Sequence, residues 1–382
     1  MRRVVLLNSY ATQSHALWER GMLRHLPAAA ERAGDVVEVI SVSLPGRHWK
    51  WRMHAAALTL VERLLAEGAL ETPVDAFVVT DMMDLGQFRS ALPARHRGVP
   101  VVVYFHENQL TFPDHPERPK KEWDRHYAFL NLTSAWLADA VWFNSEYHRS
   151  VFLGAIPEFM KAMPTPKLTQ PEMHIRSKSS VVPIGIEDAV FDAAESASSR
   201  WDEGPPVVVW NHRWEYDKGP RAFFDLLVKV KARGVKFRLA VLGQSFQNVP
   251  TAFDEMKVEF AHDLVHWGHV ESRKEYLRAL AACDVALVTA HHDFFGVSVL
   301  ESAAAGLDVV APNRLAYPEH FGRDSLHLPD EMEVGLVRAL STKKSGRFVG
   351  SASHYRWGSV SDRAWLGLLE IWRANGPCDV VD

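Results

Sequence analysis

The 382-residue chain holds only two cysteines, Cys283 and Cys378, in different parts of the sequence and at no metal-ligand spacing. A disulfide framework is excluded in practice, and a reducing, cytoplasmic setting is expected. No stretch approaches the roughly 20 apolar residues that a membrane-spanning helix needs. The opening run Val4-Val5-Leu6-Leu7 stops at Asn8-Ser9. That is too short for a signal-peptide core and reads as a first buried strand. Low-complexity tracts and blocks of like charge are also missing. With a formal net charge of −4 the molecule is no polycation, so any nucleic-acid contact must come from a local patch. No Gly-x-Gly-x-x-Gly follows the first strand of either half, which argues against a dinucleotide oxidoreductase. No His/Cys/carboxylate cluster has metal-site spacing, so neither a metal nor another cofactor is expected.

What is present is an ordinary globular composition, 47% hydrophobic and 24% charged, over a length that suits two domains. Short apolar runs alternate with amphipathic segments. In the first half the runs are Val4–Leu7, Val36–Ile40, Ala76–Val79, Val101–Phe105 and Ala140–Phe143, with helical patterns at Ser14–Arg32, Met53–Leu65 and Glu122–Ala138. Continuous Val/Ile/Leu runs between helices predict parallel strands buried on both faces, hence a doubly wound α/β sheet. The Ala/Ser/Gly-rich stretch Ala189–Pro206 is placed as a linker. A second alternation follows, with strands at Val207–Trp210, Arg238–Leu242, Leu264–His266, Val285–Val288 and Asp308–Val310. Its helices are Pro220–Ala232, Arg273–Ala282 and Val297–Ala305. The expected architecture is therefore two Rossmann-like domains facing each other across a cleft, at 1–188 and 189–360. A C-terminal helix and tail at 361–382 carries Trp365, Leu368 and Ile371 toward a core. Pro157–Ser180 reads as irregular, with Lys161, Lys167, Arg176 and Lys178 against Glu158 and Glu172.

Four constellations carry chemistry. The first is His291-His292-Asp293-Phe294-Phe295-Gly296-Val297 followed by Glu301, directly after the strand Val285–Val288. Both acids can face the carboxyl end of the sheet. Gly296 lets backbone approach a ligand, and a helix N-terminus there favours phosphate. Either acid alone reads equally as a helix-capping or solvated residue. The second is Asn211–Gly219, which puts Arg213 and Lys218 in the strand-to-helix loop where such a domain receives a diphosphate. Surface pairing of Arg213 with Glu215 or Asp217 explains it as well. The third, Tyr104-Phe105-His106-Glu107-Asn108-Gln109, lines up polar side chains after a strand. A lone histidine there is more often structural, but Glu107 and Asn108 beside His106 point to a site. The fourth, Arg47-His48-Trp49-Lys50-Trp51-Arg52-Met53-His54, interleaves cations with indoles that suit phosphates and bases. Its plainer reading is the start of an amphipathic helix with snorkelling cations.

At these places the sequence resembles one family. Asp293…Glu301 with Arg213 and Lys218 resembles the Glu-x7-Glu and Arg/Lys sites of retaining family-4 glycosyltransferases of GT-B fold. Tyr104–Leu110, His212–Pro220, Val265–Gly268, His291–Glu301 and Tyr317–Phe321 are similar to the tRNA-queuosine alpha-mannosyltransferases. The resemblance implies a GDP-mannose donor, an acceptor that is the cyclopentene-diol of queuosine in the anticodon of tRNA-Asp, and no metal. By it, Arg213 and Lys218 would bind the diphosphate, Phe295, Gly296 and Val297 would form the donor turn, and Glu301 would hold the ribose. Asp293 would contact the transferred sugar, with His106 beside it. Ser14, His15, Glu107 and Asn108 are placed toward the acceptor; the cations and indoles Arg47, Trp49, Lys50, Trp51 and Arg52, with Lys161 and Lys167, are the local surface expected to bind tRNA by charge and stacking. Two departures stand out. Asp293 replaces the usual Glu, and the first loop reads Tyr10-Ala11-Thr12-Gln13-Ser14-His15 where relatives carry Gly-Gly before Ser-His. No residue offers itself as an enzymic nucleophile, which favours attack from the face the diphosphate leaves. The alternatives are a family-4 glycosyltransferase with another donor and a small-molecule or glycan acceptor, and a binding protein that has lost catalysis.

Overall fold

A computed structural model describes residues 1–113, 124–165, 167–196, 204–245, 249–342 and 350–375. The chain divides into two compact units, Met1–Gly185 with Trp357–Asp382, and Ile186–Arg356.

In the first unit, β1 (Arg2–Ala11), β2 (Val37–Pro45), β3 (Ala76–Thr80), β4 (Val101–Phe105), β5 (Ala140–Phe143) and β6 (Ser179–Val181) form one sheet in the order β2-β1-β3-β4-β5-β6. Every pairing is parallel, with Leu6 beside Val78, Val78 beside Val102 and Val102 beside Ala140. Between the strands run α1 (Gln13–Arg32), α2 (Trp49–Ala66), α3 (Leu85–Ala91), α4 (Arg125–Leu137), α5 (Glu146–Lys161) and α6 (Pro171–Arg176). β3 and β4 are buried at every position, which is why they read as unbroken apolar runs.

The second unit opens with α7 (Asp188–Ser196). It continues through β7 (Val207–Asn211), α8 (Pro220–Ala232), β8 (Arg238–Leu242), α9 (Ala252–Glu259), β9 (Leu264–Gly268), α10 (Arg273–Ala281), β10 (Val285–Leu287), α11 (Val297–Ala304), β11 (Asp308–Pro312), α12 (Tyr317–His320), β12 (Leu326–His327) and α13 (Met332–Ser341). Its parallel sheet has the order β12-β11-β10-β7-β8-β9. The order reverses between β7 and β10, and in the first unit between β1 and β3. Loops leaving the carboxyl ends at such a reversal diverge and open a crevice. Both loops singled out in the second half, after β7 and after β10, flank that point.

Three segments differ from the sequence reading. The stretch taken as a linker starts with α7, whose Val190 and Phe191 are buried, Phe191 beneath the Arg356 guanidinium; residues 197–203 lie outside the described part. Pro157–Ser180 is regular at its two ends and irregular between them, over 162–165 and 167–170. α5 runs through Pro157 to Lys161, Pro171 starts α6, and β6 adds an edge strand. The buried residues Ile156, Met160 and Ile175 anchor it, whereas the prolines and charges hid the periodicity. Finally, the last helix, α14 (Trp357–Asn375), belongs to the first unit and packs on α1. The Trp357 indole fills the space that Gly21 and Gly185 leave: a Cβ at either would fall 1.8 and 2.2 Å from the ring. The Trp372 indole donates to the Asp75 carbonyl at 2.8 Å, and Asp362 pairs with Arg32 at 2.6 Å.

Candidate active site

In the second unit the two loops are sewn together by backbone. The Asp217 carbonyl accepts the His291 N–H at 2.7 Å, and the Thr289 hydroxyl donates to the Gly219 carbonyl at 2.9 Å. Gly219 has φ 70°, and a Cβ there would stand 2.3 Å from the Thr289 carbonyl oxygen, so only glycine lets the loops meet. The result buries Lys218. Its ammonium donates to the His292 carbonyl at 2.8 Å and lies 3.2 Å from Asp217 and 3.7 Å from Asp293. Burial works against its charge, yet Asp293 and Asp217 hold it above the ordinary lysine range. For Asp293, burial raises the carboxyl, but Lys218, His212, His292 and the Tyr317 hydroxyl together bring it below the usual value. Lysine and aspartate are thus both charged, and the lysine is oriented before any ligand arrives. Arg213 is exposed and pairs with Glu215 at 3.1 Å.

Glu301 sits in α11, whose first turn follows Gly296 at φ 82°. Both its oxygens are engaged: Arg273 holds Oε1, and the Tyr276 hydroxyl donates to Oε2 at 2.8 Å. Asn211 ties the same corner to the Tyr276 hydroxyl at 3.0 Å and to the Ser298 carbonyl at 2.9 Å. Arg273 also pairs with Glu187 at 2.8 Å. The Phe295–Val297 turn is braced from behind by His320. Its Nε2 lies 2.7 Å from the Phe295 carbonyl, which can only accept, so Nε2 carries the proton and Nδ1 accepts from the Tyr355 hydroxyl at 2.6 Å. Burial lowers this imidazole to about 4, which keeps it neutral. His212, also lowered to about 4, first by burial and then by Lys218, rests 3.1 Å from the Ser298 hydroxyl.

In the first unit His106 closes β4. Its backbone is clamped: the N–H donates to Asp81 at 2.9 Å, and the carbonyl accepts from Asn144 at 2.9 Å. His15 stacks on its ring at 3.8 Å, with Trp18 and Tyr104 at its edges. Both ring nitrogens are buried without a hydrogen-bond partner among the described residues. Such an arrangement is costly unless a ligand uses those atoms. Burial, then His15 and His148, holds the ring well below the usual histidine range, so it is neutral. Asp81 follows β3 at the reversal of strand order; burial, reinforced by Glu107, lifts its carboxyl well above the ordinary range. Glu107 accepts from Gln109, while Asn108 closes a turn on Thr111. Ser14 is half-buried beside His15.

The proposed tRNA residues are scattered in kind. Trp49 packs on Tyr127 at 5.1 Å, Lys50 pairs with Asp124 at 2.7 Å, and Arg52 donates to the Pro45 carbonyl at 3.3 Å. Arg47 and Trp51 are exposed. Lys161 pairs with Glu158, and Lys167 donates to the Lys161 carbonyl at 2.9 Å. Lys178 caps α4 through the Trp136 and Ala138 carbonyls, and burial lowers it to about 8. Among the described residues there is no group of three or more His, Cys, Asp or Glu able to hold a metal, and no helix long and apolar enough to cross a membrane.

Comparison with known proteins draws the same picture. A family model described as "tRNA-queuosine alpha-mannosyltransferase N-terminal" matches residues 3–186, and one described as "Glycosyl transferases group 1" matches 192–330. A Drosophila melanogaster tRNA-queuosine alpha-mannosyltransferase is 34% identical over 294 residues, 75% of this chain and 74% of the relative. The chain belongs to the tRNA-queuosine alpha-mannosyltransferase family. A GDP-mannose-dependent alpha-(1-6)-phosphatidylinositol dimannoside mannosyltransferase of Mycobacterium tuberculosis is 23% identical over 80% of this chain and 74% of its own length. Among solved structures, trehalose-phosphate synthases of Burkholderia xenovorans and Burkholderia multivorans superpose with TM-scores of 0.64 and 0.66. They cover 97% and 98% of this chain, and 99% and 100% of their own, at 17% and 15% identity. That establishes the GT-B fold, two parallel-sheet α/β domains. The family's N-terminal match ends at 186, where the second unit begins, and the group 1 match spans the Lys218 and Glu301 loops.

Sequence reasoning about this family member missed Asp81, Arg273, Tyr276, Tyr317 and His320 as parts of the site. Tyr317 and His320 fell in a segment noted only for its family resemblance. Their roles, on the Asp293 carboxylate at 3.2 Å and on the Phe295 carbonyl, need the tertiary contact. The placement of Asp81 two residues beyond the predicted strand Ala76–Val79 was the one sequence signal available for it.

Proposed function

We propose that this protein transfers mannose from GDP-mannose to queuosine in tRNA-Asp, with retention of configuration and without a metal, in the cytoplasm. The observation that carries the reading is Lys218: a buried, charged lysine, pre-aimed by Asp217, Asp293 and the His292 carbonyl, beside the N-terminus of α11. Negative charge grows on the departing nucleoside diphosphate, and a fixed cation with helix amides stabilises that charge more than the ground state. Arg213 supplies a second cation. Glu301 accepts from ribose hydroxyls, Asp293 orients the sugar, and the free nitrogens of neutral His106 exchange hydrogen bonds with substrate hydroxyls. The acceptor oxygen bonds to the anomeric carbon as the carbon–phosphate oxygen bond breaks, and the acceptor proton passes to the leaving diphosphate. The GDP-mannose assignment draws on the mycobacterial relative's donor, and the acceptor on the Drosophila relative's.

The test is mass spectrometry of nucleosides from tRNA incubated with the protein and GDP-mannose, or with UDP- and GDP-linked hexoses, with and without EDTA. A mannose-sized mass gain on queuosine alone, from GDP-mannose alone and unaffected by EDTA, is expected. Transfer from another donor, or only with added divalent metal, overturns that part of the assignment.

A further inference from the structure

The family's acceptor is a tRNA, while the protein's net charge is −4, so a local surface must hold the RNA. Resting on the functional reading above, we propose that the anticodon arm docks on the surface formed by the N-terminal ends of α2 and α4. Arg47, Trp51, His54, Arg125 and His126 carry the contact, not Lys50 and Arg52.

Four observations converge there. First, α4 brings Arg125 and His126, some seventy residues away in sequence, against α2, where the His54 and His126 rings stack at 5.2 Å. Second, Arg47 and Arg125 are exposed cations with no side-chain partner among the described residues. Lys50 and Arg52 are already engaged by Asp124 and the Pro45 carbonyl. An engaged cation must break its own bond to reach a phosphate; an idle one need not. Third, Trp51 is 64% exposed, whereas its neighbour Trp49 is packed on Tyr127. An indole left in water beside unpaired cations has the chemistry of a single-stranded RNA platform, with a flat face for a splayed base and charges for its phosphates. Fourth, His48 takes a positive φ of 56°, rare for a side-chain-bearing residue, just where the chain presents Arg47 and turns into α2. Anticodon-loop bases are unpaired, so stacking on Trp51 is available to them and not to a duplex stem.

Binding of queuosine-containing tRNA to the full-length protein, measured over a series of salt concentrations, tests this. Arg47→Ala and Arg125→Ala each flatten the slope of log K against log salt by roughly 0.7–0.9, the loss of one phosphate contact. Trp51→Ala weakens binding about 5- to 150-fold. Lys236→Ala, which removes an equal charge from the exposed surface of the second unit, leaves the slope unchanged. GDP affinity and melting temperature stay at wild-type values in all four. Wild-type affinity and slope in the Arg47→Ala/Arg125→Ala double variant overturn the surface. Mannose transfer by the wild type is followed in parallel. Its failure overturns the functional reading, and the binding series still decides the surface.

Discussion

At the scale of single residues, the site is a set of charges fixed before substrate arrives. Lys218→Ala should lower kcat roughly 10²–10³-fold, the effect of deleting one positioned charge donor. Steady-state kinetics with saturating donor checks this; a loss below tenfold would mean the buried lysine is structural. Arg273 makes a different prediction. It holds the Glu301 carboxylate, so Arg273→Ala should raise donor KM with little change in kcat, and Arg273→Lys should recover part of the loss. A fall in kcat at unchanged KM would place Arg273 in the chemical step. The sequence showed Lys218 and Glu301 because each stands at a legible offset from a strand end. Arg273 could not be found that way. It lies 28 positions from Glu301, and nothing local in its helix-start context marks it.

At the scale of elements, the β7 and β10 loops work as one piece because Gly219 lets them touch. Gly219→Ala combines a left-handed backbone with a Cβ 2.3 Å from the Thr289 carbonyl oxygen. It should cost about 1–3 kcal/mol of stability and a larger share of activity, since Lys218 moves with the loop. Gly322→Ala, at a position with ordinary φ and nothing near the new Cβ, is the matched control. Equal melting temperatures and rates for the two variants would refute the coupling. Among the described residues, ten of the twelve strands were legible as apolar runs; β3, β4, β5 and β7, buried at every position, leave no alternation to misread. β6 and β12, three and two residues long, were not, since edge strands that short carry no pattern of their own. α5 and α6 were hidden by Pro157 and by paired charges that solvate their outer faces.

At the scale of the whole molecule, the chain leaves the first unit at 185 and returns to it at 357. Trp357→Ala should destabilise the first unit by about 3–5 kcal/mol, the usual cost of emptying a buried aromatic site. GDP binding by the second unit should persist. Hydrogen exchange should show protection lost over α1 and α14; loss spread evenly over both units would contradict the division. A second global property is acid sensitivity. His212 and His320 are both lowered to about 4, chiefly by burial, against an unfolded value of 6.5. Below about pH 6.5 the unfolded chain takes up protons that the folded chain refuses, so stability falls as pH drops toward about 4. The slope is about 1.4 kcal/mol per pH unit for each histidine. Asp293, lowered instead, holds its contribution until the pH falls below the usual carboxylate range. Urea midpoints across this window should decline, and His320→Gln should flatten the decline; a pH-independent midpoint would exclude the histidine term.

The sequence by itself determined the α/β class, the succession of strands and helices, and the positions of His106, Lys218 and Asp293 in segments that follow strands and of Glu301 in the helix after one. Those follow from local periodicity and from offsets of a few residues, which any stretch of chain displays without its partners. Tertiary structure alone decided which cations are spent and which are idle. Lys50 is held by Asp124 across α2 and α4, whereas Arg47 and Arg125 stay exposed, a difference made by contacts between elements and not by local sequence. It alone assigned α14 to the first unit, because the cavity for Trp357 is made by Gly21 and Gly185, glycines 164 positions apart that form one socket only after the unit has folded.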